Sequence, residues 1–335
     1  MKALKLAQPA GLDALSIVDI DDPGTPGPGE IRVRLRASSL NYHDYAVVTG
    51  AIPAEDGRIP MSDGAGTVEA VGEGVTEFAE GDAVVSCFFP LWQDGEPRIA
   101  DFSTTPGDGI DGYAREAVVT PASWFTRAPR GYSHAEAATI TTAGLTAWRA
   151  LVVNGGLKPG DTVLALGTGG VSIFALQIAK AAGAHVIITS SSDEKLERAR
   201  ALGADATINY RTTGNWAEAV LDITHGRGAD HVVEVGGPGT LEQSIRACRI
   251  GGHISLIGIL TGLGGDIPTF LLMARQQRLH GLIVGSRRHQ EDFVRALEVM
   301  PFRPVIDRTF PLTQTADAFR HEESGRHFGK ICLEI

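Results

Sequence analysis

Between residues 30 and 38, apolar and charged positions alternate: Ile31, Val33 and Leu35 are interleaved with Arg32, Arg34 and Arg36 in EIRVRLRAS. A period of two puts one face in a core and the other in solvent, so the stretch predicts a half-buried strand. GTVEAVGEGV (66–75) and GDAVVS (81–86) predict two more strands joined by a glycine-containing turn. PGTPGPG (23–29) punctuates the chain ahead of them. The first third therefore reads as β-rich. Residues 88–112 break the pattern. So long a loop, carrying Phe88, Phe89, Trp92 and Phe102, predicts a functional segment or a packed surface loop.

From residue 157 the rhythm changes. LKPGDTVLALG (157–167) reads as a turn and an apolar strand. HVIITS (185–190), ATINY (206–210), HVVEV (231–235), HISLIGI (253–259) and LHGLIVG (279–285) follow as further short strands, with helical stretches between most of them. Six such strands alternating with helices predict an α/β region with a parallel, doubly wound sheet. Residues 304–335 return to strand, helix and strand.

Composition narrows the picture. A chain of 335 residues accommodates two domains, and 43% hydrophobic content supplies a core. A net charge of −10 without a basic block excludes nucleic acid and an anionic membrane as main partners. The apolar segment 171–188 is interrupted by Gln177, Lys180 and His185, so no membrane span is expected, and the N-terminus lacks the apolar run of a secretory signal. Cys87, Cys248 and Cys332 are odd in number and far apart, which suits free thiols in the cytoplasm.

The strongest chemical signal is Gly167-Thr168-Gly169-Gly170-Val171-Ser172, set between an apolar strand and a helix. Glycines there let the backbone approach a pyrophosphate, whose charge meets the helix N-terminus. Ser172 replaces the third glycine of the usual spacing and is small enough for close helix packing. An acidic residue about 20 positions on would bind the ribose hydroxyls of NAD. Here the second strand ends in Ser190, Ser191 and Ser192 instead, with Lys195 and Tyr210 nearby. Hydroxyls can donate to a 2′-phosphate, so NADP(H) is expected over NAD(H). The same serines also suit a helix cap ahead of Asp193.

These motifs come with PGPGEIRVRLRASSLNYHDY, SDGAGTVEAVGEGV, TTAGLTAWRAL, VVEVGG and HFGKICLEI. Together they resemble the medium-chain dehydrogenase/reductase superfamily along nearly the whole chain, specifically its zinc-lacking, quinone-oxidoreductase-like (zinc-type alcohol dehydrogenase-like) branch. The resemblance implies a GroES-like, β-rich catalytic domain from residues 1–128 and 287–335. A Rossmann-type NADP(H)-binding domain, 129–286, is inserted into it. It also implies a homodimer or tetramer, the dimer being the expected state. Zinc-dependent relatives carry ligands at the positions of Asn41, Ser62 and Ala143. None of these is a usual zinc ligand, and a catalytic zinc needs about three, so no zinc is expected. His43, Asp44 and Asp63 remain as an improvised metal set, which is disfavoured.

Without a Lewis acid, developing negative charge must be met by hydrogen bonds. A quinone or an α,β-unsaturated ketone suits hydride transfer of that kind. By family position, Asn41 stands near the nicotinamide and His43 at the proton-relay position. Tyr42 or Tyr45 is expected to hydrogen-bond the oxyanion. His43 equally suits a wall residue, Tyr45 a core residue and Asp44 a helix-start acceptor. The resemblance also places Thr142, Gly258, Gly285, Arg287, Phe328 and Lys330 at cofactor-contacting positions, with surface ion pairing as the alternative for Lys330. The expected function is an NADP(H)-dependent reductase of a small quinone or carbonyl compound. The alternatives are an alcohol dehydrogenase with an atypical metal site and a non-catalytic NADP(H)-binding protein.

Overall fold

The computed structural model describes residues 1–99 and 101–335. The chain divides into two compact units. Met1–Leu145, Val284–Val299 and Arg303–Ile335 form the first; Thr146–Ile283 and Met300–Phe302 form the second.

The first unit is built on a seven-stranded sheet centred on Glu30–Ser39. That strand pairs antiparallel with Ala65–Val71, Ala117–Pro121 and, at its far end, Lys330–Glu334. Its alternation is used as the pattern requires: Ile31, Val33 and Leu35 are fully buried. Arg32 and Arg34 both reach Glu69, at 2.7 and 2.8 Å. The last strand, Lys330–Glu334, is next to the edge of the sheet. It lies between Glu30–Ser39 and the parallel Ile306–Pro311. Residues 129–145, expected in the nucleotide domain, belong to the first unit. The reason is packing: Ala137 and Ala138 on the helix His134–Ala138 share a small core with Ala37 and Ala65.

The second unit holds six parallel strands. Their order is Ala206–Asn209, His185–Ser190, Thr162–Ala165, Ala229–Glu234, Cys248–Leu256 and Arg278–Gly281. The inner strands Thr162–Ala165 and Ala229–Glu234 and the adjoining His185–Ser190 are short and mostly buried, as parallel strands covered on both faces must be, whereas the edge strand Arg278–Gly281 is largely exposed. The order turns back at Thr162–Ala165, the first strand in sequence. In open α/β sheets ligands bind at such a switch point, beyond the carboxyl ends of the strands.

Candidate active site and cofactor loop

In the second unit, the strand Thr162–Ala165 runs through Gly167 into the helix Gly170–Ala181. Gly167 has φ +73°, a conformation that favours glycine. A Cβ built on Gly167 or Gly169 would meet nothing within 4 Å, so the loop's outer side is open. Ser172, in the third glycine's place, is buried and donates its hydroxyl to Leu166 O at 2.6 Å, tying helix to strand. Thr168 is buried and Val171 half-buried. The open glycines and the twelve-residue helix behind them fit a dinucleotide pyrophosphate. Gly258 is required by packing: a Cβ there would lie 2.1 Å from Val235 O, so only glycine fits.

Of the two jobs asked of the serine run, the geometry displays the capping. Ser192 caps the helix Asp193–Ala201, accepting from the backbone N–H of Lys195. Ser190 is buried and accepts from Ser192 N at 3.3 Å. Ser191 is half-buried and Tyr210 exposed. None of residues 190–192 is a carboxylate.

In the first unit, Asn41 opens the helix Tyr42–Val48, and Asp44 reaches back to its backbone N–H at 3.0 Å. Asp44 also accepts from Ser62 N at 2.8 Å, so it is the helix-start acceptor the sequence allowed for. Met61, just before, has φ +79°, a left-handed conformation that an ordinary side chain seldom adopts and that marks a constrained turn. Asn41 donates its amide to Asp44 at 3.0 Å and Asp63 at 2.9 Å. Its Oδ1 accepts from the Lys330 ammonium at 2.6 Å. Lys330 also donates to Leu40 O and stands 3.9 Å from Asp63. The side chain is only 4% exposed, so surface ion pairing is ruled out for it. Asp63, fully buried, accepts further bonds from Ser39 Oγ at 2.5 Å and Thr142 Oγ1 at 2.6 Å.

Thr142 lies on a π-helical turn, Ile140–Gly144, whose wider winding appears in the bond from Gly144 N to Thr139 O at 3.2 Å. Such turns recur at functional sites.

The buried Asp44 and Asp63 and the half-buried Glu322 thus all feel the one Lys330 ammonium. Burial pushes the Asp63 carboxyl up to about 6, with Lys330 opposing and Asp44 adding to it. Burial likewise raises Asp44, and it raises Glu322, on the helix Thr315–Glu323, to about 7. Glu322 was not singled out from sequence, and Asp63 only as a member of the disfavoured metal set.

The structure does not bring every expected residue here. Tyr42 is 52% exposed, and the Tyr45 hydroxyl donates to Glu323 at 3.0 Å, so neither phenol bonds to this cluster. The helical repeat explains this. Positions 42 and 45 share a face, one turn apart, and it is not the face of Asp44. Arg287 is committed to Glu77 and Glu291, each at 2.6 Å, and to Phe125 O. Gly285 packs against Leu145, and Phe328 is buried. His43 turns its Nε2 toward Asp108 at 3.5 Å, so His43, Asp44 and Asp63 do not converge as an improvised metal set. Among the described residues, no group of three or more His, Cys, Asp or Glu side chains is placed to hold a metal. Asn41, Ser62 and Ala143 do not fit a catalytic zinc either, since Asn41 already uses its amide on two carboxylates and an ammonium.

An open glycine loop at the switch point of a doubly wound sheet, with a separate β-rich unit carrying a buried polar cluster, defines a dinucleotide-dependent oxidoreductase. Residues 27–130 match the alcohol dehydrogenase GroES-like domain and residues 170–300 the zinc-binding dehydrogenase family. A zinc-type alcohol dehydrogenase-like protein of Schizosaccharomyces pombe is 42% identical over 97% of this chain and 96% of its own. Among solved structures, an NAD-dependent alcohol dehydrogenase is 36% identical, covering 100% of both chains with a TM-score of 0.90. A Pseudomonas syringae quinone oxidoreductase is 27% identical, covering 100% of this chain and 99% of its own at a TM-score of 0.83. The chain belongs to the medium-chain dehydrogenase/reductase superfamily, in its zinc-type alcohol dehydrogenase-like branch. It is an NAD(P)H-dependent oxidoreductase. Among the described residues, no helix is long and apolar enough to cross a membrane.

Proposed function

We propose that the chain reduces quinones or α,β-unsaturated carbonyl compounds with NADPH, without a catalytic zinc. The carrying observation is Asn41: at a zinc-ligand position of the relatives, its amide is saturated by Asp44, Asp63 and a buried ammonium. A conjugated acceptor spreads the arriving charge and needs only a modest donor. The nicotinamide, when bound, supplies hydride. Thr142 gives its proton to Asp63 and so presents lone pairs, which suits accepting from a carboxamide N–H. His43 delivers the proton to the acceptor's oxygen. The likeness to a quinone oxidoreductase supports the acceptor class.

NADPH is favoured because Ser190–Ser192 place no carboxylate where a 2′-phosphate would be repelled. The three cysteines are buried and unpaired, which supports a cytoplasmic setting. A second copy of the chain is the partner favoured for the second unit. Arg278–Gly281 is an edge strand, and Leu263, Phe270 and Met273, shortly before it in sequence, are strongly exposed. A Phe270→Glu, Met273→Glu protein is expected to run as a monomer in light scattering where the parent runs as a dimer; a monomeric parent would end this reading.

The test of function is NADPH oxidation by chelator-treated protein with quinones, enones and simple aldehydes, NADH in parallel. Turnover of quinones or enones, with NADPH at least about 10-fold tighter than NADH (~1.4 kcal/mol), is expected. Activity that appears only on adding zinc would favour an alcohol dehydrogenase with an atypical metal site. Binding of NADPH with no turnover of any acceptor would favour a binding protein.

A further inference from the structure

His43 sits under aromatic rings. Its imidazole lies 4.6 Å from the ring of Phe102 and 5.3 Å, edge-on, from that of Phe88. Phe89 stacks on Phe102 at 6.2 Å. Beneath this cover His43 Nε2 faces Asp108 Oδ2 across 3.5 Å. Both atoms are buried, and neither has a hydrogen-bond partner among the described residues. A native interior rarely leaves two facing polar atoms unsatisfied, so the pair calls for an explanation.

We propose that Asp108 is a positioning residue for His43. It holds the Nε2 side of the ring, fixes the tautomer with hydrogen on Nε2, and leaves Nδ1 as the nitrogen that passes a proton to the substrate. This rests on the reading of His43 as proton donor. The general logic is that of a buried carboxylate orienting a catalytic imidazole. In the step itself, hydride bonds to the acceptor carbon and the carbonyl π pair moves, through the conjugated system, onto oxygen. The Nδ1–H bond breaks and its proton bonds to that oxygen. The electron pair stays on Nδ1, and the neutral ring keeps its Nε2–H toward the Asp108 carboxylate. The donor is thus the imidazolium, and one proton taken up from bulk solvent restores it at Nδ1.

The charges acting on His43 are Asp108 and Asp63; those acting on Asp108, besides His43, are Arg58 and Asp44. Burial lowers the pKa of His43, and the two carboxylates oppose that fall. Removing the charge at 108 therefore leaves burial less opposed, and the imidazolium becomes a rarer species at neutral pH.

The experiment is ¹⁵N NMR of the histidine rings in the full-length protein against pH, for the parent, Asp108→Asn and Asp108→Glu. The His43 signals are assigned by their loss in His43→Gln. NADPH oxidation with a p-quinone is followed on the same samples. In Asp108→Asn the His43 tautomer should shift and its pKa should fall. Its kcat should drop about 10- to 100-fold with KM little changed, as expected for a weakened general acid. Asp108→Glu should recover part of both. Unchanged His43 signals in Asp108→Asn would overturn the proposal, whatever the rate did, because a residue that only shapes the loop would leave them alone. Shifted signals together with full turnover by His43→Gln would uphold the positioning and overturn the donor role.

Discussion

Replacing Gly169 with aspartate should weaken NADPH binding by about 100-fold or more, roughly 2.7 kcal/mol, while leaving thermal unfolding where it was. The two halves of that expectation have separate grounds. Gly169 has an extended conformation open to any residue, and a Cβ built on it meets nothing within 4 Å, so the fold has no reason to suffer. The carboxylate, however, would stand at the N-terminus of Gly170–Ala181, where the helix otherwise offers its N–H groups to a pyrophosphate. Gly258→Val is the contrast. Its Cβ collides with Val235 O, so affinity and stability should fall together. Calorimetric titration with NADPH and a melting curve on each variant decide the matter. Undiminished affinity in Gly169→Asp would mean the pyrophosphate binds elsewhere.

Lys330→Met should destabilise the protein by about 3–5 kcal/mol at pH 7, because it leaves buried carboxylates without their counter-charge. The deficit should shrink toward pH 5. Asp63 and Glu322 have folded-state pKa values of about 6 and about 7, above the ordinary carboxylate range. The native state therefore binds more protons than the unfolded one between about pH 4 and pH 7. What these two groups contribute to stability is fully present below that window and is lost as pH rises through it. Once protonated they no longer need the ammonium. Urea unfolding of parent and variant at the two pH values gives the answer; an equal deficit at both would show that Lys330 acts through packing alone.

How much of this was legible follows from the range of the interactions. The glycine loop is local: strand, turn and helix are contiguous, so Gly167 to Ser172 could be read in order. The arginine face of 30–36 was legible for the same reason. The polar cluster was not. Asn41 meets Asp63 across 22 positions and Lys330 across 289, and no spacing rule links them. Asp108, among the glycines of PGDGIDG, has the signature of a turn, and nothing local says that it faces an imidazole. Thr142 could be placed by resemblance but not by periodicity, since a π-helical turn breaks the 3.6-residue repeat on which such readings depend. The phenols misled because five polar residues in a row look like one cluster until the helix divides them between faces.

The strand that completes the first sheet is also the last strand of the chain, and this sets an order of assembly during synthesis. Glu30–Ser39 emerges early, yet its partner Lys330–Glu334 comes some 300 residues later. At about 5–20 residues per second, that is a wait of tens of seconds, during which Asp44 and Asp63 are on the nascent chain without the ammonium that balances them. The nucleotide unit, contiguous from Thr146 to Ile283 apart from three residues, leaves the ribosome before this last strand. The first unit is thus begun first and closed last, and a chain that stops short of Lys330 carries the carboxylates of the polar cluster but not the charge that holds them together.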